Sequence, residues 1–307
     1  MQEILLFSLS GCKKKQKKDE VQRYAWPLGT SSPEDTVTQL YAEKFAKEVS
    51  KLSHGKMKIE VYPNSTLGGD RELLESCKDG DIPFVVQNTA PQVTFLPDTA
   101  VFDLPSAFTT IQQARAAVDN EEFYQKMGKS IRRVDTNYLD MPIRDSVLCL
   151  PNKNVKSINE FQRTEDPYDG EQLSFEVLED TWSESNTNDI QRKFISDFSR
   201  ERSMHRRILT KLSFLVNYMN MQDYVVETNH LPHYISLIVS DEFYNSLSKD
   251  QQKIIDQASQ TAKVYAREAS DKRIADRIKI IEDSGTKIVK LDTKTQKEMR
   301  KQATASL

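Results

Sequence analysis

The strongest constraint on how this chain folds is a helical period that runs unbroken from Ser248 to Gly285. Ser248, followed three residues later by Gln251, forms a capping box, which satisfies two otherwise orphaned backbone donors at a helix start. Apolar residues then recur at Ile254, Ala258, Ala262, Tyr265, Ala269, Ile274, Ile278 and Ile281, and Gly285 stops the helix. A helix of that length predicts a bridge between two domains. Its many alanines argue against an isolated coiled coil, whose seam needs larger side chains.

The rest of the chain can supply those domains. Its 307 residues are enough for two cores, and 37% hydrophobic with 29% charged residues fits a globular protein. No apolar run approaches the roughly 20 residues that span a bilayer. A net charge of -3 with intermixed signs excludes the basic face that nucleic acid requires. The three cysteines form no Cys-x-x-Cys pair, so no zinc site is signalled. Cys77 and Cys149 read as small buried hydrophobes. Cys12 closes the apolar run "ILLFSLSGC" and precedes "KKKQKKDE". That arrangement resembles a bacterial lipoprotein signal, with Cys12 as the lipidated residue and the lysines as a solvated tether. The run is short and no cation precedes it, which a start codon lying further upstream would explain.

From Gln22 onward, strand and helix alternate. "RYAWPLG" reads as a strand ended by Pro27 and Gly29. Ser32, Pro33 and Asp35 supply an N-cap, a proline at the first helical position and an acid at the third, which places a helix start there. Val37, Leu40, Tyr41, Phe45, Val49 and Leu52 form its stripe, and Gly55 ends it. "KMKIEVYP" alternates as a strand, "GDRELLESCKDG" is a short helix, and "IPFVVQN" is an apolar strand suited to a parallel sheet. This β-α-β-α-β order implies a doubly wound sheet, whose ligands bind beyond the carboxyl ends of its strands, here Trp26 to Ser32 and Gln87 to Thr89. Helices follow around "IQQARAAVD" and "EFYQKMGKSI", and "HYISLIVS" and "TKIVKLD" read as strands.

Catalytic signatures are missing. There is no Gly-rich phosphate loop, no G-x-S-x-G elbow and no H-E-x-x-H. His230 and His233 flank Pro232, so a shared metal on a helix face is not expected. The sequence points to binding, with no cofactor and no metal.

Residues 56 to 108, with "YP-x-x-x-LGGDRELLE" and "P-x-x-AVFDLP", resemble the amino-terminal half of the solute-binding proteins of TRAP transporters (the DctP family). "MQDYVVETNH" and "SDEFYNSLSKDQQKIIDQA" resemble the family's carboxyl part. The resemblance covers residues 24 to 161 and 219 to 292. It implies an α/β, two-lobed periplasmic-binding-protein-like fold with a long inter-domain helix. It also implies an extracytoplasmic receptor, not an enzyme, that closes on a small carboxylate and delivers it to the TRAP permease membrane subunits. A monomer is expected, periplasmic or on the outer face of the cell membrane and lipid-anchored there. Residues 1–21 are then a signal remnant and tether. The first lobe comprises 22–141 plus 231–262, and the second 142–230 plus 263–307.

The family's middle motifs are absent: G-L-K-[IL]-R, then L-G-A-N-P-T-P-M, then Q-x-G-x-V-D-x-Q-E-N-P. In their place stands "TWSESNTNDIQRK", residues 181 to 193, with no helical or strand period. Back-translation of Trp182 to Gln191, read from the second nucleotide, spells G-A-N-P-T-P-M-T-F. In the other alternative frame, Phe194 to Thr210 yields Y-I-G-F-Q-Q-G-T-V-D-A-Q-E-N-P-Y. These consecutive matches identify residues 162–211 as a segment translated out of frame. That also accounts for the single glycine, Gly170, between Gly128 and Gly285. A non-functional gene product, or an enzyme on a similar two-lobed fold, is the alternative to a working receptor.

In this family an arginine forks onto the ligand carboxylate, a task that suits a planar guanidinium. "MPIRDS" holds the counterpart, Arg144, although Pro142 and Ile143 depart from the family's G-F-R pattern. Asn88 and Gln87 match positions that line the cleft, and Asp70 and Trp26 are further candidates. The ligand itself stays open among C4-dicarboxylates, sialic acids and other organic acids.

Overall fold

The computed structural model describes residues 22, 24–104, 107, 108, 110–146, 148–151, 205–208, 224–227, 229 and 231–305. Cys12 and its tether, His230, and all of the segment expected to be out of frame except 205–208 lie outside these residues.

The first sheet is built from β1 (Trp26–Gly29), β2 (Ile59–Tyr62), β3 (Phe84–Asn88), β4 (Thr136–Asp140) and β9 (Pro232–Ser240). Their order is β2-β1-β3-β9-β4, and β5 (Ile143–Ser146) pairs with β9 off that path. Strands β1, β2 and β3 are parallel, whereas β9 runs antiparallel to β3, β4 and β5. The apolar run of β3 therefore does not mark a purely parallel sheet, as its composition predicted. It marks a strand covered on both faces.

Two cores provide that cover. On one face, α1 (Val37–Leu52) and the long helix α6 (Lys249–Asp283) pack over Leu28, Phe84, Val86, Ile235 and Leu237. On the other, α2 (Asp70–Lys78), α3 (Ile111–Val118), α4 (Glu121–Ile131) and two 3-10 turns cover Val85, Tyr138, Tyr234 and Ile238. Each face collects alternate residues of a strand, as the pleat requires. Cys77 is buried in the second core, where burial pushes its thiol well above the usual range.

Helix α6 begins at the expected capping box and runs for 35 residues, roughly 50 Å at 1.5 Å per residue. Its alanines have a purpose the sequence left open. Ala258, Ala262 and Ala266 are fully buried in the core shared with α1, where small side chains permit close approach. A short helix α5 (Asp241–Ser246) leads into it. β10 (Lys287–Lys290) and α7 (Thr293–Ala305) follow.

The second sheet has the order β10-β8-β6-β7, with β6 spanning Leu148–Pro151, β7 His205–Ile208 and β8 Tyr224–Glu227. Here β10 runs parallel to β8, and β6 pairs antiparallel with both β7 and β8.

Two local expectations are corrected. The first helix starts at Val37, not at Ser32. Thr36 is the cap: its Oγ1 accepts from the Gln39 N–H at 3.1 Å and donates to the Pro33 carbonyl at 2.8 Å. Asp35 has φ +60°, a left-handed conformation that a continuing helix cannot contain. Arg273 holds it there, donating to both its carbonyl and its carboxylate. Pro27, expected to end β1, lies inside it. Pairing of β1 with β3 begins only at Leu28, and Trp26 and Thr30 donate toward β2, so no ladder donor is missing at Pro27.

Candidate functional site

All parallel strands of the first sheet, and β4 with them, end at one edge, where β9 begins. The connections that leave this edge are polar: Thr30 to Ser32 after β1, the first turn of α2, and Asn88 to Gln92 after β3. This is the edge beyond which open α/β sheets bind ligands.

Gln87 and Asn88 stand at this edge. Gln87 is 1% exposed, yet neither its amide oxygen nor its amide nitrogen has a hydrogen-bond partner. The Asn88 Oδ1 is also buried and unpartnered. Leaving such a group unmade costs about 1–3 kcal/mol, so orphaned amides at a strand end are a strained arrangement that a bound polar group relieves. Behind them the network is complete. The Gln92 amide nitrogen donates to the Asn88 carbonyl at 3.0 Å and to Ser236 Oγ at 2.6 Å. The Tyr138 hydroxyl donates to Gln92 Oε1 at 2.5 Å. The strand end is thus rigid while its outermost amides stay open.

Asp70 begins α2, and its carboxylate accepts from the Ser31 hydroxyl at the end of β1. Burial raises its pKa, and the Ser31 bond offsets part of that rise. The pair bridges the two connections that flank the edge.

Arg144 lies on β5, in a bulge. Ile143 pairs with Tyr234 and Ser146 with Pro232, so β5 carries one more residue than β9 over this interval.

Trp26 is not brought to this edge. It is the first residue of β1, at the opposite end from the edge, with its ring 5.0 Å from Phe243 and 6.5 Å from Phe84. It shares the face of Leu28 and packs, half-buried, against the core.

The first turn of α1 carries two more unpartnered polar groups. Thr38 Oγ1 and Gln39 Oε1 are buried and unpartnered, and this helix start faces the same edge because it follows β1. The Gln39 amide nitrogen is fixed on Glu43 at 3.0 Å. The sequence signal existed, since polar residues at a helix start beyond a parallel strand fall at the ligand edge, but it was spent on the apolar stripe.

A groove of about 500 Å³ elsewhere on the first lobe is not this site. It follows the free edge of β4 between α4 and α6, past Tyr124, Asn137, Tyr244 and Asp256. The Tyr124 hydroxyl donates to the Tyr138 and Leu139 carbonyls at 2.8 and 2.9 Å, which blunts that edge. Gln87, Asn88, Thr38 and Gln39 leave unpartnered buried polar atoms near the strand ends, and others, such as Tyr41, Asp140 and Arg267, lie on or against α6. Among the described residues no group of ligating side chains could hold a metal ion, and no helix is long and apolar enough to cross a membrane.

Comparison with known proteins matches residues 28–164 and 214–307 to a family described as bacterial extracellular solute-binding protein, family 7 (DctP). The C4-dicarboxylate-binding protein DctB of Bacillus subtilis is 24% identical over 288 residues, which span 87% of this chain and 77% of that protein. A solute-binding protein of Roseobacter denitrificans is 23% identical over 280 residues, spanning 88% and 83%. Among solved structures, a TRAP periplasmic solute-binding protein from Ochrobactrum anthropi superposes with a TM-score of 0.78 at 16% identity. That likeness covers 93% of this chain and 89% of the other. The sugar acid-binding protein DctPAm from Advenella mimigardefordensis, in complex with galactonate, gives 0.71 at 20% identity, over 94% and 92%. These likenesses carry the two-lobed fold.

Proposed function

Because the chain belongs to family 7 of the bacterial extracellular solute-binding proteins, we propose that it captures a small organic acid between two lobes and hands it to a TRAP permease. The observation that carries this reading is the coincidence of two facts. The family match spans both ends of the chain, and the orphaned amides of Gln87 and Asn88 stand at the edge where such a sheet binds ligands. Arg144 on the crossing strand takes the carboxylate; Gln87, Asn88 and Asp70 take the ligand's polar groups.

We place the lobe divisions at 141–142 and 230–231, outside the strands, and in α6 beyond the expected 262–263, because Ala266 packs in the first-lobe core and Arg267, Asp271 and Arg273 still bond that lobe. Closure about these crossings covers the ligand. Cys12 anchors the protein by a lipid. Relatives that bind a C4-dicarboxylate and galactonate set the chemical range to test. The family match leaves out residues 165–213, in keeping with a shifted frame at 162–211. Sequencing the gene across residues 155 to 220 tests that part on its own.

The functional test is thermal denaturation of a version with the frame restored across residues 162–211, with succinate, D-galactonate and D-glucuronate. A ligand that binds only the folded state raises the melting temperature. A shift with one of these acids, reduced by Arg144→Ala, is expected; no shift with any of them would remove the reading.

A further inference from the structure

Resting on that reading, we infer that Arg115 is a positioning residue for Arg144, acting through the backbone of the crossing strand. Arg115 lies on α3, and its side chain is 12% exposed. Its guanidinium is held bidentately by Asp271 of α6, at 2.9 and 2.8 Å. The same Nη2 also donates to the Ile143 carbonyl at 3.3 Å. Ile143 is fully buried and immediately precedes Arg144.

This carbonyl needs a side-chain donor because the Ile235 N–H bonds the preceding Pro142 carbonyl, so Ile143 forms a non-hydrogen-bonded pair with Tyr234 and its own carbonyl faces away from β9. Between Ile143 and Ser146 the register with β9 slips, so the ladder cannot fix Arg144 from both sides. The upstream side is fixed by the Ile235 N–H, which donates to the Pro142 carbonyl at 3.0 Å, and by the Ile143–Tyr234 pairing. Arg115 adds the last restraint before the irregular residues. Asp271 makes that restraint stiff, because a guanidinium clamped in a fork has few alternative rotamers. A chain of three groups, Asp271, Arg115 and the Ile143 carbonyl, thus connects the long helix to the residue that meets the ligand.

Arg115 is not expected to touch the ligand. Its effect reaches the site only through where Arg144 begins, which distinguishes it from Arg267, an equally ion-paired arginine of α6. Arg267 holds Asp119 bidentately at 2.6 and 2.9 Å and has no bond to the crossing strand.

The test compares Arg115→Ala, Asp271→Asn, the double variant and Arg267→Ala in the full chain. Hydrogen exchange of residues 141 to 146 is expected to quicken about tenfold in Arg115→Ala and nearly as much in Asp271→Asn. The double variant should add nothing further, because both remove one restraint. Arg267→Ala should lower the melting temperature without quickening this segment. In calorimetry against D-galactonate and succinate, Arg115→Ala should weaken binding about tenfold, the scale on which outer partners that orient a binding group act. Arg115→Lys should rescue little, since it cannot hold Asp271 and a carbonyl together. Unchanged exchange in Arg115→Ala would overturn the inference whether or not either acid binds. If Arg144→Ala leaves binding intact, the solute-binding role of Arg144 fails instead, and the exchange result still judges the link from Arg115 to the strand.

Discussion

The Lys263 ammonium reaches the Asp140 carboxylate at 3.0 Å, although Asp140 lies at the end of β4 with its side chain only 4% exposed. Lys263 also meets Asp119 at 3.2 Å, so one cation on α6 serves a buried and a half-exposed acid. Burial raises the Asp140 pKa, and Lys263 offsets part of that rise. Removing one partner of a buried pair leaves an uncompensated charge and costs about 3–5 kcal/mol. Lys263→Met should therefore destabilise by that order in denaturant unfolding. Adding Asp140→Asn should recover part of the loss, because no buried charge then remains unpaired.

Asp70 and Asp119 give opposite pH signatures. Asp70 has its pKa raised by burial, so the stability it contributes is present below the ordinary aspartate pKa and is lost as pH rises through its folded value. Asp119 is pushed up by burial, but its bonds to Arg267 and Lys263 outweigh this and lower it overall. Its contribution is present at neutral pH and is lost as pH falls through the folded value. In melting curves, Asp70→Asn should compare more favourably with wild type at pH 7 than at pH 4. Asp119→Asn should compare less favourably at pH 7 than at a pH below the ordinary aspartate range.

Gly29 closes β1 against α2. A Cβ there would stand 2.4 Å from Leu73 Cδ2, and Leu73 is fully buried. Overpacking of this kind costs about 1–3 kcal/mol. Gly29→Ala should lose that much stability in chemical denaturation, with part of it restored by Leu73→Val.

Gln87 separates folding from function. Both of its amide atoms are buried without partners, so replacing it by an apolar side chain of similar length should stabilise the free protein by about 1 kcal/mol. Gln87→Met is expected to melt higher than wild type while gaining less from added acid. A lower melting point would mean that the amide is satisfied in the folded protein and does not await a ligand.

Much of the first lobe was legible because its signals are local. The Ser248–Gln251 box, the alternation of Met57, Ile59 and Val61, and the apolar run of Phe84 to Val86 each specify structure within a few residues. What failed depended on distant partners. Nothing near Ser32 reveals that Arg273 holds Asp35 in a left-handed turn and delays the helix to Val37. Nothing near Pro27 shows that β3 pairing begins one residue later.

The site was legible in part for the same reason. The position of Gln87 and Asn88 at the end of β3 was legible from strand order, whereas the placing of Trp26 at the start of β1 depends on where pairing with β2 begins. Thr38 and Gln39 needed the helix start to be placed correctly. Arg115 was invisible, since its three-way contact joins α3, β5 and α6 across 156 residues of sequence.

Capture of an organic acid between the lobes is tested most directly by calorimetry of the full chain and of a version with the frame restored across residues 162–211. Both are titrated with D-galactonate and succinate, with and without Arg144→Ala. The expected result is saturable binding of one acid by the restored chain, weakened about one to two decades by Arg144→Ala, as loss of a charge-assisted bond worth about 1.5–3 kcal/mol requires. The chain as it stands should bind more weakly. Equal affinities in the two chains would contradict the frame reading, and binding indifferent to Arg144, or no binding by either chain, would contradict the receptor.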